Sequence, residues 1–276
     1  MEKLSFLRPV ALRGMIRLGD KSDGGYVVYG PLLNETDALV SYGVGDNISF
    51  EEHFSHLTHK NVYMFDPTLF GKYLLDLHIV KKQLCRLQFG YLCRYLLFIY
   101  GIWRRKKRLE TMNVWFFNEG IATSKRAKYD TLKSHLERLG LTQSNVLLKI
   151  DIEEGEYEVF SQRFTYDCLA GVNQLIIEFH NLKQRLRELE AILADLKREF
   201  TLVHIHGNNH EPTFTYYDRS GDGRYDFAVP DVLELLCVRT TRLRNADILE
   251  NNLQYPIPDL DYPNSAERPD HPIECI

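Results

Sequence analysis

Two short runs decide the fold: Asp37-Ala38-Leu39-Val40-Ser41-Tyr42-Gly43-Val44-Gly45-Asp46-Asn47, and then Val62-Tyr63-Met64-Phe65-Asp66. Residues 38–42 read as a buried strand, the glycine pair as a turn, and a helix is predicted from Ser49. Residues 62–65 form the second strand, which ends in an acid. Strand, glycine turn, helix, strand and acid make up the opening unit of a nucleotide-binding α/β domain. The glycines let the backbone approach a ligand, and an acid at a strand tip can accept both hydrogens of a ribose diol. Asp66 lies 20 residues beyond Asp46, the spacing such a unit needs. A dinucleotide fingerprint also wants a third glycine three positions after the second. Ile48 stands there, which weakens a nicotinamide reading. The plain alternative is a tight turn in an ordinary α/β domain.

At 276 residues the chain suits one domain, 1–276, carrying an insertion at 68–112. Its 44% hydrophobic and 26% charged residues are ordinary for a soluble globular protein. A net charge of −4 provides no global basic field, which argues against nucleic acid as the main partner. The cysteines (Cys85, Cys93, Cys168, Cys237 and Cys275) are odd in number and scattered, with neither metal spacing nor a disulfide framework. That usage predicts a reducing, cytoplasmic compartment. Residues 1–6 lack the apolar core of a signal peptide.

Upstream, Asp23-Gly24-Gly25 marks a turn before a strand at 26–29; a plain hairpin and a ligand-facing loop both fit it. Downstream, residues 68–108 are helical in composition. Residues 84–103 are heavily apolar, and Arg104-Arg105-Lys106-Lys107-Arg108 closes the segment. Arg86, Gln88, Gly90 and Arg94 interrupt the apolar part and exclude a membrane span. A lid, a dimer or partner contact, and an amphipathic helix over 84–108 lying on a membrane surface remain open. Strands are predicted at 113–117, 146–152, 174–179, 202–206 and 232–238, and helices at 125–139, 156–164 and 182–200. No helix is evident between the last two strands, so they are expected to close the sheet as an antiparallel pair. The stretch 251–276, with five prolines from Tyr255 onward, reads as an irregular surface tail.

Polar residues gather at the strand ends. Lys149, Asp151 and Glu153 are spaced by two, as are Glu178 and His180, and His204 and His206; Asn208 and Asn209 follow. Buried carboxylates are costly unless paired or bound, so three strands ending this way point to a site. The bland alternative is strand-end polar groups emerging into water.

The segment Lys149-Ile150-Asp151-Ile152-Glu153-Glu154-Gly155-Glu156-Tyr157-Glu158-Val159 resembles the Lys-Ile-Asp-Val-Glu-Gly-Ala-Glu-x-Glu-Val signature of FkbM-like S-adenosylmethionine-dependent methyltransferases. The Asp-Gly-Gly-Tyr turn, residues 42–51, residues 177–180 and residues 204–209 are similar to that group too. The resemblance covers most of 17–240, the insertion apart. Two positions depart from it: Glu154 replaces a glycine, and Ser41 stands where many methyltransferases carry an acid. The resemblance implies an α/β fold of class I methyltransferase (Rossmann-like) type, a seven-stranded, mostly parallel sheet with a helical insertion. It also implies an O-methyltransferase acting on a sugar hydroxyl of a glycan, nucleotide sugar or glycosylated metabolite. Such enzymes bind one nucleoside and no pyrophosphate, so Ile48 is tolerated.

On this reading Gly43, Gly45 and Asp46 lie by the methionine part of S-adenosylmethionine, and Asp66 holds the ribose. Asn118, Glu119, Gly120 and Ile121 lie near the adenine. Methyl transfer needs an aligned acceptor oxygen and a group to take its proton. His180, with an ordinary histidine pKa, is the first choice for base and His206 the second, while Asp151 orients the base or the sugar hydroxyl. Asp151, Glu178 and His206 could instead hold a divalent metal, and the spacing leaves that open. The rival readings are a nicotinamide-dependent oxidoreductase and a non-catalytic membrane-surface binding protein.

Overall fold

The computed structural model describes residues 4–45, 47–68, 89–161, 163–218, 225–250, 253–274 and 276. Asp46 and residues 69–88 of the insertion therefore lie outside the described residues. In chain order, β1 (Met15–Leu18) and β2 (Tyr26–Tyr29) form an antiparallel hairpin. Then come β3 (Ala38–Tyr42), α1 (Ser49–Thr58), β4 (Asn61–Phe65), α2 (Phe89–Glu110) and β5 (Val114–Phe117). A short pair, β6 (Gly120–Ile121) and β7 (Tyr129–Asp130), precedes α3 (Leu132–Arg138), β8 (Val146–Ile150) and α4 (Gly155–Phe160). The chain continues through β9 (Val172–Phe179), α5 (Leu182–Leu196), β10 (Phe200–Gly207), the hairpin β11 (Thr213–Asp218) and β12 (Tyr225–Pro230), and β13 (Leu233–Arg239).

The main sheet has seven strands in the order β10-β13-β9-β8-β3-β4-β5. Only β13 runs against its neighbours. Counted by entry into the sheet, the order is third, second, first, fourth, fifth, seventh, sixth, with the seventh reversed. This is the class I methyltransferase arrangement. The buried strands read as near-continuous apolar runs because both faces are covered. Tyr42, Phe65, Leu148, Ile177 and Phe179 pack on one face, towards α3, α4 and α5. Leu39, Val62, Met64, Leu147 and Ile176 pack on the other, against α1 and the β1–β2 hairpin. The alternation within β3 and β8 follows the period of two expected of a strand.

Several boundaries differ from the sequence reading. The helix expected over 125–139 starts only at Leu132, because the Thr131 hydroxyl accepts the Ser134 N–H (3.1 Å) and caps it there. The strand expected to reach 152 stops at Ile150, since Glu153 and Glu154 take left-handed conformations (φ 54° and 73°). The long helix ends at Leu196 and not at 200. The helix-free connection between β10 and β13 holds the β11–β12 hairpin, which the pattern did not reveal.

The tail is irregular, as expected, but it does not lie loosely on the surface. Tyr255, Asp261, Asn264 and Ile273 are buried. The physical reason lies in β10, whose two inward histidines need acids. His204 Nε2 meets Asp261 (3.0 Å), and His206 is held by Glu234 at Nδ1 (3.2 Å) and by Asp270 at Nε2 (3.1 Å). Burial disfavours the His206 imidazolium, but the charges and hydrogen bonds of Glu234 and Asp270 outweigh it and push its pKa up to about 10.

The sign of the resulting pH dependence follows. A ring whose pKa rises from about 6.5 on folding contributes stability that is complete below about pH 6.5. That contribution is lost as pH climbs through about 10. The melting temperature of the wild type should therefore fall more steeply between pH 7 and pH 10 than that of His206→Gln. Thermal melts across that range check this, and parallel curves would remove His206 from the account.

Candidate active site

Strands β3 and β8 are neighbours whose onward connections run to opposite halves of the sheet, so a crevice opens beyond their carboxyl ends. A cavity of about 650 Å³ occupies it, running from Gly45, Asp66 and Ile121 to Asp151, Glu178 and His180. That is within the range of small-molecule sites.

At one end, Gly43 and Gly45 both have positive φ (71° and 60°) for different reasons. A Cβ on Gly43 would lie 1.4 Å from the Asp151 carbonyl oxygen, so this glycine is required by the crossing of the chain itself. A Cβ on Gly45 would meet nothing within 4 Å. The Gly45 N–H donates to Asp66 Oδ2 (3.0 Å), and Asp66 Oδ1 accepts from the backbone and hydroxyl of Thr68 (both 2.7 Å). Gly120 and Ile121 line the cavity. Asn118 and Glu119 are not among its lining residues. Asn118 pairs with Lys128, and Glu119 pairs with Arg138 (2.7 Å).

Beside Ser41 stands an acid from another element. The Ser41 hydroxyl donates to Glu51 Oε1 (2.6 Å), and Glu51, on the first turn of α1, is buried and lines the cavity. Burial pushes its carboxyl up, with Lys149 and Ser41 opposing. Sequence reasoning missed Glu51 because first-turn acids on a helix normally face water.

At the other end, Tyr26, Lys149, Asp151, Glu178 and His180 come together from three strands, β2, β8 and β9, or the residue just beyond them. The Tyr26 hydroxyl lies 2.8 Å from Asp151 Oδ2 and 3.1 Å from Glu178 Oε2, and can give its one proton to either. Lys149 Nζ reaches Asp151 Oδ2 (3.3 Å), and Asn208 Nδ2 donates to Glu178 Oε1 (2.8 Å). Glu156, fully buried at the start of α4, accepts both the His180 backbone N–H (2.8 Å) and its Nδ1 (3.1 Å). That bond turns His180 Nε2 towards Glu178 (3.7 Å), Glu153 (3.7 Å) and Asp151 (3.9 Å). Glu153 itself points mostly into water.

The charges perturb one another. Burial, followed by the Asp151 and Glu234 charges, raises the Glu178 carboxyl well above its usual range. Burial opposes the His180 imidazolium, but the Glu156 hydrogen bond and the charges of Glu178, Glu156 and Asp151 win and place its pKa at about 9. The ordinary histidine pKa expected from sequence therefore does not hold in this setting, where the surrounding carboxylates favour the protonated ring.

His206 is not brought to the cavity; both of its ring nitrogens are taken up by acids behind it. Among the described residues, the set able to surround a cation is Asp151, Glu178 and His180, with ligand atoms within 4.8 Å of one another, and not Asp151, Glu178 and His206. Tyr26 and Glu156 were also missed, and Asn208 was named with the strand-end polar residues but given no role. The Asp-Gly-Gly-Tyr turn was the one signal for Tyr26, and the turn proves to be both a hairpin and a wall of the cavity.

No family model matches the chain. No curated protein matches it either. Among solved structures it is similar to a precorrin-6y C5,15-methyltransferase from Geobacter metallireducens, at 10% identity and a TM-score of 0.36, covering 75% of this chain and 82% of that one. It is also similar to a precorrin 8w decarboxylase from Methanobacterium thermoautotrophicum, at 15% identity and a TM-score of 0.31, covering 74% and 82%. The fold assignment rests on the strand order.

Glu154 offers a local test. It occupies the glycine position of the resembling signature and keeps a glycine's conformation, φ 73°. A left-handed residue with a side chain costs about 1–2 kcal/mol, against the roughly 0.5–1 kcal/mol of chain entropy that glycine loses. Glu154→Gly should thus stabilise the fold by up to about 1 kcal/mol in urea titrations. A loss of stability would mean that its contacts with Asn181 and Arg185 matter more than the strain.

Proposed function

We infer that the chain is an S-adenosylmethionine-dependent O-methyltransferase whose acceptor is a hydroxyl on a sugar-bearing molecule. One observation carries this reading: a single cavity at the sheet's switch point joins the Asp66–Gly45 corner to the Asp151–Glu178–His180 cluster. The first suits a nucleoside and the second a hydroxyl. Asp66 would accept from the ribose, with Gly120 and Ile121 beside the adenine. Glu51 would face the methionine ammonium, supplying the charge that Ser41 lacks.

The sugar comes from the sequence resemblance, and the acceptor end is consistent with it. Tyr26, Asp151, Glu178 and Asn208 offer the dense hydrogen-bonding surface that a polyol needs. In the reaction the acceptor oxygen bonds to the methyl carbon as the sulfonium–methyl bond breaks. The sulfur leaves with its electron pair, and the hydroxyl proton passes to the cluster. His180 Nε2, in its neutral form, is the acceptor of that proton, and Asp151 orients the hydroxyl.

Calorimetry tests the cofactor. Asp66→Ala should weaken S-adenosylmethionine binding by about 1.5–3 kcal/mol, the scale for hydrogen bonds to a charged group. Wild-type protein that binds NAD and ignores S-adenosylmethionine and S-adenosylhomocysteine would favour the oxidoreductase instead.

A second reading of the acceptor end has a specific observation behind it. The 3.7–3.9 Å gaps from His180 Nε2 to Asp151 and Glu178 are too long for hydrogen bonds, yet they suit ligands facing one divalent ion. Such an ion would acidify a bound hydroxyl directly. The two readings part under one experiment. With His180 as base and no metal, His180→Asn should lose roughly 10²–10⁴ in turnover with cofactor affinity kept, and a chelator should leave the wild type unchanged. Activity lost to a chelator and restored by Mg²⁺ or Mn²⁺ would assign the step to a metal.

A further inference from the structure

The helix α2 leaves several large apolar side chains in solvent. A helix that covers its own domain hides its apolar stripe and shows its polar face. Here the exposed residues include Leu97 (70% exposed), Tyr100 (54%), Trp103 (54%) and Leu96 (42%), while Leu92 and Tyr95 are half-buried. At 3.6 residues per turn, Leu96, Leu97, Tyr100, Trp103, Arg104 and Lys107 fall within an arc of about 120°. This stripe faces solvent and carries Arg104 and Lys107 at its far end. The helix carries six basic residues and one acid, Glu110, in a chain whose net charge is −4.

Apolar patches of this kind mark interaction surfaces, and the chemistry selects the partner. Tyr100 and Trp103 stack one turn apart, with ring centroids 6.0 Å apart and planes 22° apart. Such rings, apolar in body and polar at one edge, favour the headgroup level of a bilayer. Leu96 and Leu97, one turn before them, suit the depth just below it, and Arg104 and Lys107 meet anionic headgroups. From Leu96 to Lys107 the stripe runs about 17 Å along the helix, a line rather than a pocket. No described helix is long and apolar enough to cross a membrane, so this contact lies along the surface.

We propose that α2 docks the protein, lying flat, on a bilayer surface rich in anionic lipid. The proposal stands apart from the catalytic reading, because its measurement involves neither cofactor nor turnover.

The test uses the full chain and vesicles of phosphatidylcholine, with and without phosphatidylserine. The protein should sediment with the anionic vesicles and not with the neutral ones, and salt should weaken the association. The chain has two tryptophans, so Trp115→Phe leaves Trp103 as sole reporter, and its emission should shift to the blue on the anionic vesicles. Leu97→Glu and, separately, the double change Arg104→Glu with Lys107→Glu should each lower partitioning about tenfold or more. Circular dichroism should be unchanged, since these side chains are exposed. Absence of sedimentation, or undiminished binding by Leu97→Glu, overturns the proposal. A dimer that Leu97→Glu dissociates, without vesicle binding, overturns it in favour of self-association, and pull-down of an acidic protein partner in its place overturns it in favour of a protein interface.

Discussion

The crossing of Gly43 over the Asp151 carbonyl is the constraint on which the rest of the molecule depends. β3 and β8 end side by side and send their chains to opposite halves of the sheet, and they do so in contact. The Asp151 N–H donates to the Tyr42 carbonyl (3.2 Å), and no side chain fits between Gly43 and Asp151. Once the two backbones are locked, Asp151 has one place to stand, facing Tyr26 and Lys149. The mouth of the cavity is then fixed by backbone geometry rather than by flexible side chains. A site assembled this way is preorganised, which is what in-line transfer to a held oxygen demands.

The second organising fact is a surplus of buried acid. Glu51, Glu156, Glu178 and Glu234 are all buried, and Asp151 stands among them. Isolated buried carboxylates are untenable, so each is answered. Glu51 is answered by the Ser41 hydroxyl and the charge of Lys149, Glu156 by His180, and Glu234 by His206 and Asn264. Glu178 is answered mainly by neutral donors, Tyr26 and Asn208, and its carboxyl is driven up by burial. Glu178 therefore holds a proton more readily than an exposed carboxyl does, and a cation entering the cluster would favour its ionised form.

What the sequence could show was local. The Asp66 strand tip, the Gly43–Gly45 turn, the seven strands and the Asp151–Glu178–His180 convergence all follow from residue type, period and spacing within one unit. Long-range pairing was not legible. Glu51, in the first turn of α1, hydrogen-bonds Ser41 and lines the cavity, where a sequence shows only a first-turn glutamate. His206 looked like a second base because its spacing repeats that of Glu178 and His180. Its partner Asp270 sits 64 residues away in a tail that composition marks as irregular. Composition reports that a segment forms no regular element; it says nothing about whether buried imidazoles will recruit that segment's acids.

The departure at Glu154 joins these points. Glu153 and Glu154 are consecutive left-handed residues with side chains, a conformation that costs of order 1 kcal/mol or more at each. Straightening them would continue β8 and carry Glu156 away from the sheet. With the reversal in place, α4 begins at Gly155 and Glu156 lies beneath His180, fixing which ring nitrogen faces the cavity. The strain thus sits just ahead of the side chain whose placement it secures, with Gly155 between. The glycine of the resembling signature would permit the same turn without strain, so the position selects a backbone conformation first and a residue type second.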